Sequence, residues 1–174
     1  TIDCIWNGMT ATDELKNQIN FSSAYMNNSQ VAVIRKADAA KYKDLASMSG
    51  AKVVAEAGSA GEIAVKADAG LSKSYLPVKD QGTSLMEVKS KTADIAIIDA
   101  VTAAGSIGEG TDYDDLMIVD VISSADSEVY AVGIRKSDTE LTAKINAAIK
   151  ELYDDGTLAK LAEKYNLSGR VIAQ

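Results

Sequence analysis

Apolar positions along this chain switch between two spacings, and the switches mark the elements. Gln30-Val31-Ala32-Val33-Ile34-Arg35 and Lys52-Val53-Val54-Ala55-Glu56 are short, apolar and rich in β-branched residues, which predicts strands. The second runs into Gly58-Ser59-Ala60-Gly61, after which Glu62 to Ala69 takes helical spacing and stops at Gly70. The cycle repeats. Tyr75 to Val78 reads as a strand and Thr83 to Ser90 as a helix with Leu85, Met86 and Val88 turned inward. Ala93-Asp94-Ile95-Ala96-Ile97-Ile98-Asp99 is then a nearly unbroken apolar run, the pattern of a strand buried on both faces. Val101 to Gly105 begins another helix, and Leu116 to Val121 is another strand. Alternation of this kind predicts an α/β chain with a parallel-rich sheet.

Both ends depart from that rhythm. Ile2 to Trp6 reads as a strand holding Cys4 as a small core residue, followed by a turn at Asn7-Gly8-Met9-Thr10 and a helix from Thr12 to Asn20 capped by Thr12. The opening Thr1 to Trp6 starts mid-alternation and reads as a cut end without the pattern of a signal peptide. Near the other end, Glu128 to Ile134 is a strand leading to Ser137-Asp138-Thr139-Glu140, a capping-box pattern. The helix after it aligns Leu141, Ile145, Ala148, Ile149 and Leu152 on one stripe, and Gly156 ends it. Thr157 caps a last helix with Leu158, Leu161, Ala162 and Tyr165 on its stripe.

Composition narrows the chemistry. The 174 residues include no His and one Cys, which removes His-based catalysis, His-ligated metal, an internal disulfide and any cysteine-cluster metal site. A net charge of −7 argues against a nucleic-acid partner, which needs a cationic face. No apolar run approaches the ~20 residues of a membrane span.

Few residues are left to carry a function. Gly58-Ser59-Ala60-Gly61-Glu62 joins a strand to a helix. It is either a plain turn or an anion site made by the free N–H groups of the helix start. It is neither a P-loop nor the dinucleotide fingerprint. Asp99 ends the apolar strand at the carboxyl edge, where open α/β sheets bind ligands; it either caps the next helix or meets an ammonium group. Glu56 and Asp94 form a nominal second acid pair with no catalysis assigned. The clusters Asp112-Tyr113-Asp114-Asp115 and Tyr153-Asp154-Asp155 lack the spaced ligands of a calcium loop and read as solvated faces. Ser22, Ser23 and Ser59 have no His to act as base.

Taken in order, these pieces resemble the amino-acid-binding family of bacterial ABC-transporter substrate-binding proteins, of periplasmic-binding-protein type II. The residues that carry the resemblance begin with Ile2-Asp3-Cys4-Ile5-Trp6-Asn7-Gly8-Met9-Thr10-Ala11-Thr12-Asp13-Glu14 and Ile19-Asn20-Phe21-Ser22-Ser23-Ala24-Tyr25-Met26. Gly58 to Glu62, Leu85-Met86-Glu87-Val88 and Ala93 to Asp99 follow. Tyr130-Ala131-Val132-Gly133-Ile134-Arg135-Lys136, Asp155-Gly156-Thr157 and Glu163-Lys164-Tyr165 complete the series.

The resemblance implies one complete α/β lobe at residues 28–128 and a partial first lobe at 1–27 and 129–174, lacking the family's opening segment. It implies an extracytoplasmic protein, without cofactor, that binds an amino acid or amino-acid-like ligand and docks on an ABC permease. Gly8 and Thr10 would meet the ligand from lobe one. N–H groups near Ser59, Ala60 and Gly61 would hold its carboxylate, and Asp99 its ammonium. One departure is Leu15, where the family usually carries an arginine that grips the carboxylate. The other is the missing opening segment, which leaves the terminal helices' stripes short of cover and leads to the expectation of a homodimer or swapped oligomer. Two further readings stand beside the first: a degenerate scaffold without ligand, and a dehydratase-like enzyme using Glu56 or Glu62 as acid.

Overall fold

The structure, a computed structural model, describes residues 2–122 and 128–174. In chain order the strands are β1 (Cys4–Ile5), β2 (Asn20–Phe21), β3 (Met26–Asn28), β4 (Gln30–Arg35), β5 (Val53–Glu56), β6 (Tyr75–Val78), β7 (Ile95–Asp99), β8 (Leu116–Val121), β9 (Glu128–Tyr130) and β10 (Gly133–Ile134). The helices are α1 (Asp13–Gln18), α2 (Ala60–Ala67), α3 (Gln81–Lys89), α4 (Ala100–Ser106), α5 (Thr139–Asp154) and α6 (Thr157–Lys164). The chain divides into two compact units, Ser29–Ser124 and the pair Thr1–Asn28 with Ala125–Gln174.

The unit Ser29–Ser124 is built on a five-stranded sheet in the order β6-β5-β7-β4-β8. Strand β5 runs parallel to β6 and β7, while β4 runs antiparallel to β7 and β8. The sheet is therefore mixed, not parallel-rich as the apolar runs predict. An unbroken apolar run reports burial on both faces, and antiparallel β4 meets that condition as fully as parallel β7 does.

Alternation along the strands sorts the core into two layers. Val31, Val33, Val54, Ala96 and Ile98 pack with Leu85 and Val88 of α3 and Ala100 and Ala103 of α4. Ala32, Ile34, Val53, Ala55, Ile95 and Ile97 pack with Val65 of α2 and with Tyr42, Met48 and Leu71. Met86, expected inward, is 60% exposed because it stands on the solvent side of the turn that buries Leu85. Helix α2 ends at Ala67, three residues ahead of Gly70, whose φ of −81° is not left-handed. As the last residue of β4, Arg35 donates to Asp38 at 2.6 Å, to the carbonyls of Val88 and Ala93 at 2.7 Å each, and to Asp94 at 3.3 Å.

The second unit has shorter strands. β1, β10 and β2 form an antiparallel three-stranded sheet, and β3 pairs antiparallel with β9. The strand expected from Glu128 to Ile134 is two strands in two sheets. At the break, Ser22 N–H donates to the Val132 carbonyl and Val132 N–H to Ser22 Oγ, both at 2.9 Å. Gly133 sits close beneath side chains there: a Cβ would lie 2.6 Å from Met9 Cε and 3.0 Å from Ile19 Cδ1, so both would have to shift.

The first strand is also shorter than predicted. Only Cys4 and Ile5 pair, and Cys4 is exposed, not a core residue, because β1 is an edge strand with β10 on one side only.

Helix α5 is capped by Asp138, whose Oδ1 accepts from Leu141 N–H at 3.0 Å, so the cap lies one residue after the Ser137 of the box pattern. Gly156, with φ +78°, takes the cap position of α6 expected at Thr157, and Asp155 accepts from Thr157 N–H at 2.8 Å. The stripes are incompletely covered. Ile149 and Ala162 are buried, Ala148 is exposed, and Leu161 and Tyr165 are 47% and 60% exposed. An apolar groove of about 200 Å³ runs between Trp6, Tyr25, Leu158, Leu161, Tyr165 and Val171. Among the described residues no helix is long and apolar enough to cross a membrane.

Candidate ligand-binding site

Because β5, β6 and β7 are parallel, their carboxyl ends share one edge of the sheet, and α2, α3 and α4 each start from it. Antiparallel β4 brings its first residue to the same edge, with Gln30 opposite Asp99. Glu56, Ser59, Asp80, Gln81, Asp99 and Gln30 thus gather from five segments of one unit.

At the start of α2 most donors are already taken. Ser59 N–H donates to the Glu56 carbonyl at 3.2 Å, and Ser59 Oγ accepts from Glu62 N–H at 3.1 Å. Glu62 Oε2 accepts from Gly58 N–H at 2.8 Å. The N–H groups of Ala60 and Gly61 donate to nothing among the described residues; they are the two orphan donors that the first turn leaves over. Gly61 is buried, and a Cβ there would sit 3.0 Å from both Gln30 Oε1 and the Ile97 carbonyl oxygen, so glycine permits the close approach of helix to strand. Glu62 is held well below its ordinary carboxyl value, to about 2, first by Lys66 at 2.8 Å and then by the Gly58 N–H. Tyr75 on β6 donates its hydroxyl to Glu62 Oε1 at 3.0 Å, and burial, with Glu62 beside it, pushes the phenol up.

Asp99 is buried. Its Oδ1 accepts from Gln30 Nε2 at 2.6 Å and its Oδ2 from Gln81 Nε2 at 2.8 Å, while its own N–H donates to Gln81 Oε1 at 3.1 Å. It stands at the cap position of α4, but its side chain makes no capping bond. Two amides orient this buried carboxylate at the sheet edge from which α2 also starts, so groups suited to both signs of charge share that edge.

Other acids of the unit behave differently. Glu56 has its carboxyl pushed up by burial, then by the charges of Asp99 and Asp80. Asp80 is lowered by the backbone and side-chain hydrogen bonds it accepts from Thr83 at the start of α3. Asp94 is no partner of Glu56: it precedes β7 at the opposite edge, bonded to Arg35 and to Lys52 N–H. Parallel pairing of β5 and β7 separates the two acids by the length of a strand. Among the described residues no group of three acids or cysteines is placed to hold a metal ion.

Gly8 and Thr10 lie in the other unit and are described there alone. Gly8 is exposed in a turn whose Asn7 Oδ1 accepts from Met9 N–H at 3.1 Å. Thr10 forms an isolated antiparallel bridge with Tyr130, and its hydroxyl makes no hydrogen bond among the described residues. Leu15 is half-buried in α1, under the Thr12 cap that accepts from its N–H at 3.3 Å. Sequence reasoning missed Gln30, Gln81 and Tyr75. Gln30 had a readable signal, as the polar residue that opens a strand apolar from Val31 to Ile34; Tyr75 had none.

The profile of the bacterial extracellular solute-binding proteins, family 3, matches residues 1–168. The chain belongs to that family. Among family relatives, the arginine-binding extracellular protein ArtP of Bacillus subtilis is 33% identical over 168 residues, covering 94% of this chain and 63% of its own length. The glutamine-binding protein GlnH of the same organism is 26% identical over 94% of this chain and 58% of its own length. The chain therefore spans less than two thirds of these relatives.

Solved structures agree on the fold. A Streptococcus pneumoniae amino acid ABC transporter substrate-binding protein bound to L-arginine superposes with TM-score 0.81 at 27% identity, over 97% of this chain and 68% of that one. The ancestral amino acid-binding protein AncCDT-1, a precursor of cyclohexadienyl dehydratase, gives 0.79 at 29% identity, over 94% and 69%. The fold is that of the type II periplasmic binding proteins, present here in part.

Proposed function

We propose that this chain recognises an amino acid, without catalysis, as the substrate-binding component of an extracytoplasmic ABC transporter. The observation that carries the reading is the pair of unbonded N–H groups on Ala60 and Gly61 beside the buried, amide-oriented carboxylate of Asp99. In it the donors near Ser59, Ala60 and Gly61 take the α-carboxylate and Asp99 takes the ammonium. Gly8 and Thr10 keep the contact role implied by the family resemblance. The family likeness supports, as part of the same proposal, docking on a permease and a location outside the cytoplasm.

The test is calorimetry with L-arginine, L-glutamine and L-cystine on the wild-type chain and on Ala60→Pro. Proline is favoured at the first position of a helix, so this variant removes one donor and leaves the fold intact. Loss of a hydrogen bond to a charged group costs about 1.5–3 kcal/mol, so affinity should fall about tenfold to a hundredfold. Unchanged affinity in Ala60→Pro would refute the assignment. Leu15→Arg should raise affinity by a similar factor, as it restores a charge-assisted contact.

The absence of catalysis is open to its own test. Burial pushes the Glu56 carboxyl up, the direction a general acid needs, so turnover of a prephenate- or arogenate-like compound that vanishes in Glu56→Gln would overturn it. As to partners, the groove beside Leu161 and Tyr165 supports a homodimer. Light scattering that finds a monomer at every concentration would dismiss it.

A further inference from the structure

The anion site proposed above depends on a turn, Gly58 to Gly61, that must keep two donors pointing outward. Gly58 has φ +75°, a left-handed conformation that favours glycine, and a Cβ built on it meets nothing within 4 Å. The turn around it is closed by Ser59 N–H on the Glu56 carbonyl at 3.2 Å, and the one side chain that binds Gly58 itself is Glu62, whose Oε2 accepts from its N–H at 2.8 Å. Glu62 in turn is a flexible side chain on the first turn of α2, free to rotate unless its other oxygen is held. Two groups hold Oε1: the Tyr75 hydroxyl at 3.0 Å and Lys66 Nζ at 2.8 Å.

The two are not equal. Lys66 does most to keep Glu62 ionised, but it is 61% exposed and lies on the same helix, so solvent screens it and it gives the carboxylate no anchor outside α2. Tyr75 is half-buried on the edge strand β6, its ring packed against the core layer that includes Val53 and Ala55, and its hydroxyl arrives from an element that α2 does not control. A rigid aromatic lever on the sheet thus reaches the flexible carboxylate on the helix.

We infer that Tyr75 is a positioning residue for the proposed carboxylate site, acting through Glu62 to fix Gly58 and so the free donors of Ala60 and Gly61. The inference rests on the amino-acid-binding reading. Tyr75 touches no ligand in it.

The experiment compares wild type, Tyr75→Phe, Glu62→Gln and Lys66→Met. Two readouts are needed: amide hydrogen exchange over Gly58–Gly61, and calorimetry with L-arginine from pH 7 down to pH 2.5. Tyr75→Phe keeps the ring and its packing, so melting should change little. Exchange at Gly58 should rise severalfold, and affinity should fall about three- to tenfold. Wild-type affinity should stay level to pH 4, and the acid limb should move upward in Tyr75→Phe, since one bond favouring ionised Glu62 is gone. Lys66→Met should change affinity less than twofold.

Unaltered exchange at Gly58 in both Tyr75→Phe and Glu62→Gln overturns the inference whatever the binding data show. A fall in melting temperature with affinity and acid limb unmoved makes Tyr75 structural only and also overturns it. If the wild-type chain binds none of the amino acids while exchange still rises in Tyr75→Phe, the ligand reading falls and takes the positioning role with it, leaving the clamp as a plain turn lock.

Discussion

In the unit Ser29–Ser124 the strands β4, β5 and β7 are buried on both faces and helices cover each side. In the other unit no strand exceeds three residues among the described residues, and an apolar groove stays open between α5, α6, Trp6 and Tyr25. The two stretches are similar in apolar character, so composition does not separate them. What differs is whether each strand has neighbours on both edges and a layer on both faces. A sequence can specify an apolar stripe perfectly well while the residues that would cover it lie elsewhere.

The sharpest way to break this contrast is at Arg35. It is 12% exposed and serves two carboxylates and two carbonyls; Arg35→Met strands those partners and should cost about 3–5 kcal/mol in urea unfolding. A loss below 1 kcal/mol would show that the edge beyond β4 is not locked by this residue. Next, the same truncation should weigh differently in the two units. Leu85→Ala, in the closed core, should cost about 2–5 kcal/mol, and Leu161→Ala, on the open groove, less than about 0.5. Equal costs would mean the groove is covered in solution.

Asp138→Ala removes the side-chain cap of α5 and should cost about 1 kcal/mol, read as a lower melting temperature. The smallest effects are pH-dependent and opposite in sign. Glu62 lies at about 2 in the folded chain against an ordinary 4.5, so its stabilisation is complete above 4.5 and is lost as pH falls toward 2. Glu56 is raised, so ionising it costs stability at neutral pH, and that cost disappears as pH falls below 4.5. Melting curves from pH 7 to pH 2.5 should therefore show Glu56→Gln more stable than wild type at neutral pH only, and Glu62→Gln with a flatter acid limb. A gain from Glu56→Gln that persists at pH 3 would contradict the burial argument.

Much of this was legible in the sequence. Gln30–Arg35, Tyr75–Val78 and Leu116–Val121 are strands with the expected bounds, and Thr12 caps α1 through Leu15 N–H. Burial patterns are local, and these segments obey them. Strand direction is not local: nothing in Gln30–Arg35 says that it runs against β7. The split of Glu128–Ile134 into β9 and β10 was equally hidden, since it follows from Ser22 bonding to Val132 across 110 positions. Similarly, Asp99 and the Gly58–Gly61 turn could be picked out one by one, each at a strand's end. The amides of Gln30 and Gln81 that orient Asp99 come from distant segments, and only the register of β4 against β7 brings Gln30 there.

Strand β4 opens the unit Ser29–Ser124 and β8 closes it, and the two are sheet neighbours, with Ile122 N–H bonded to the Gln30 carbonyl at 2.7 Å. The place where the chain goes in is thus also where it comes out. This matters for the order of folding. Pairing Asn28 with Glu128 in β3 and β9 closes a loop of 100 residues, which from an unfolded chain costs roughly 4 kcal/mol of entropy. Once the inserted unit has folded, its own β4–β8 ladder has already brought those ends side by side, and the same pairing becomes nearly as cheap as a hairpin. The unit made of distant halves inherits its proximity from the one made of a continuous stretch, so it should form second, on a rate set by its neighbour.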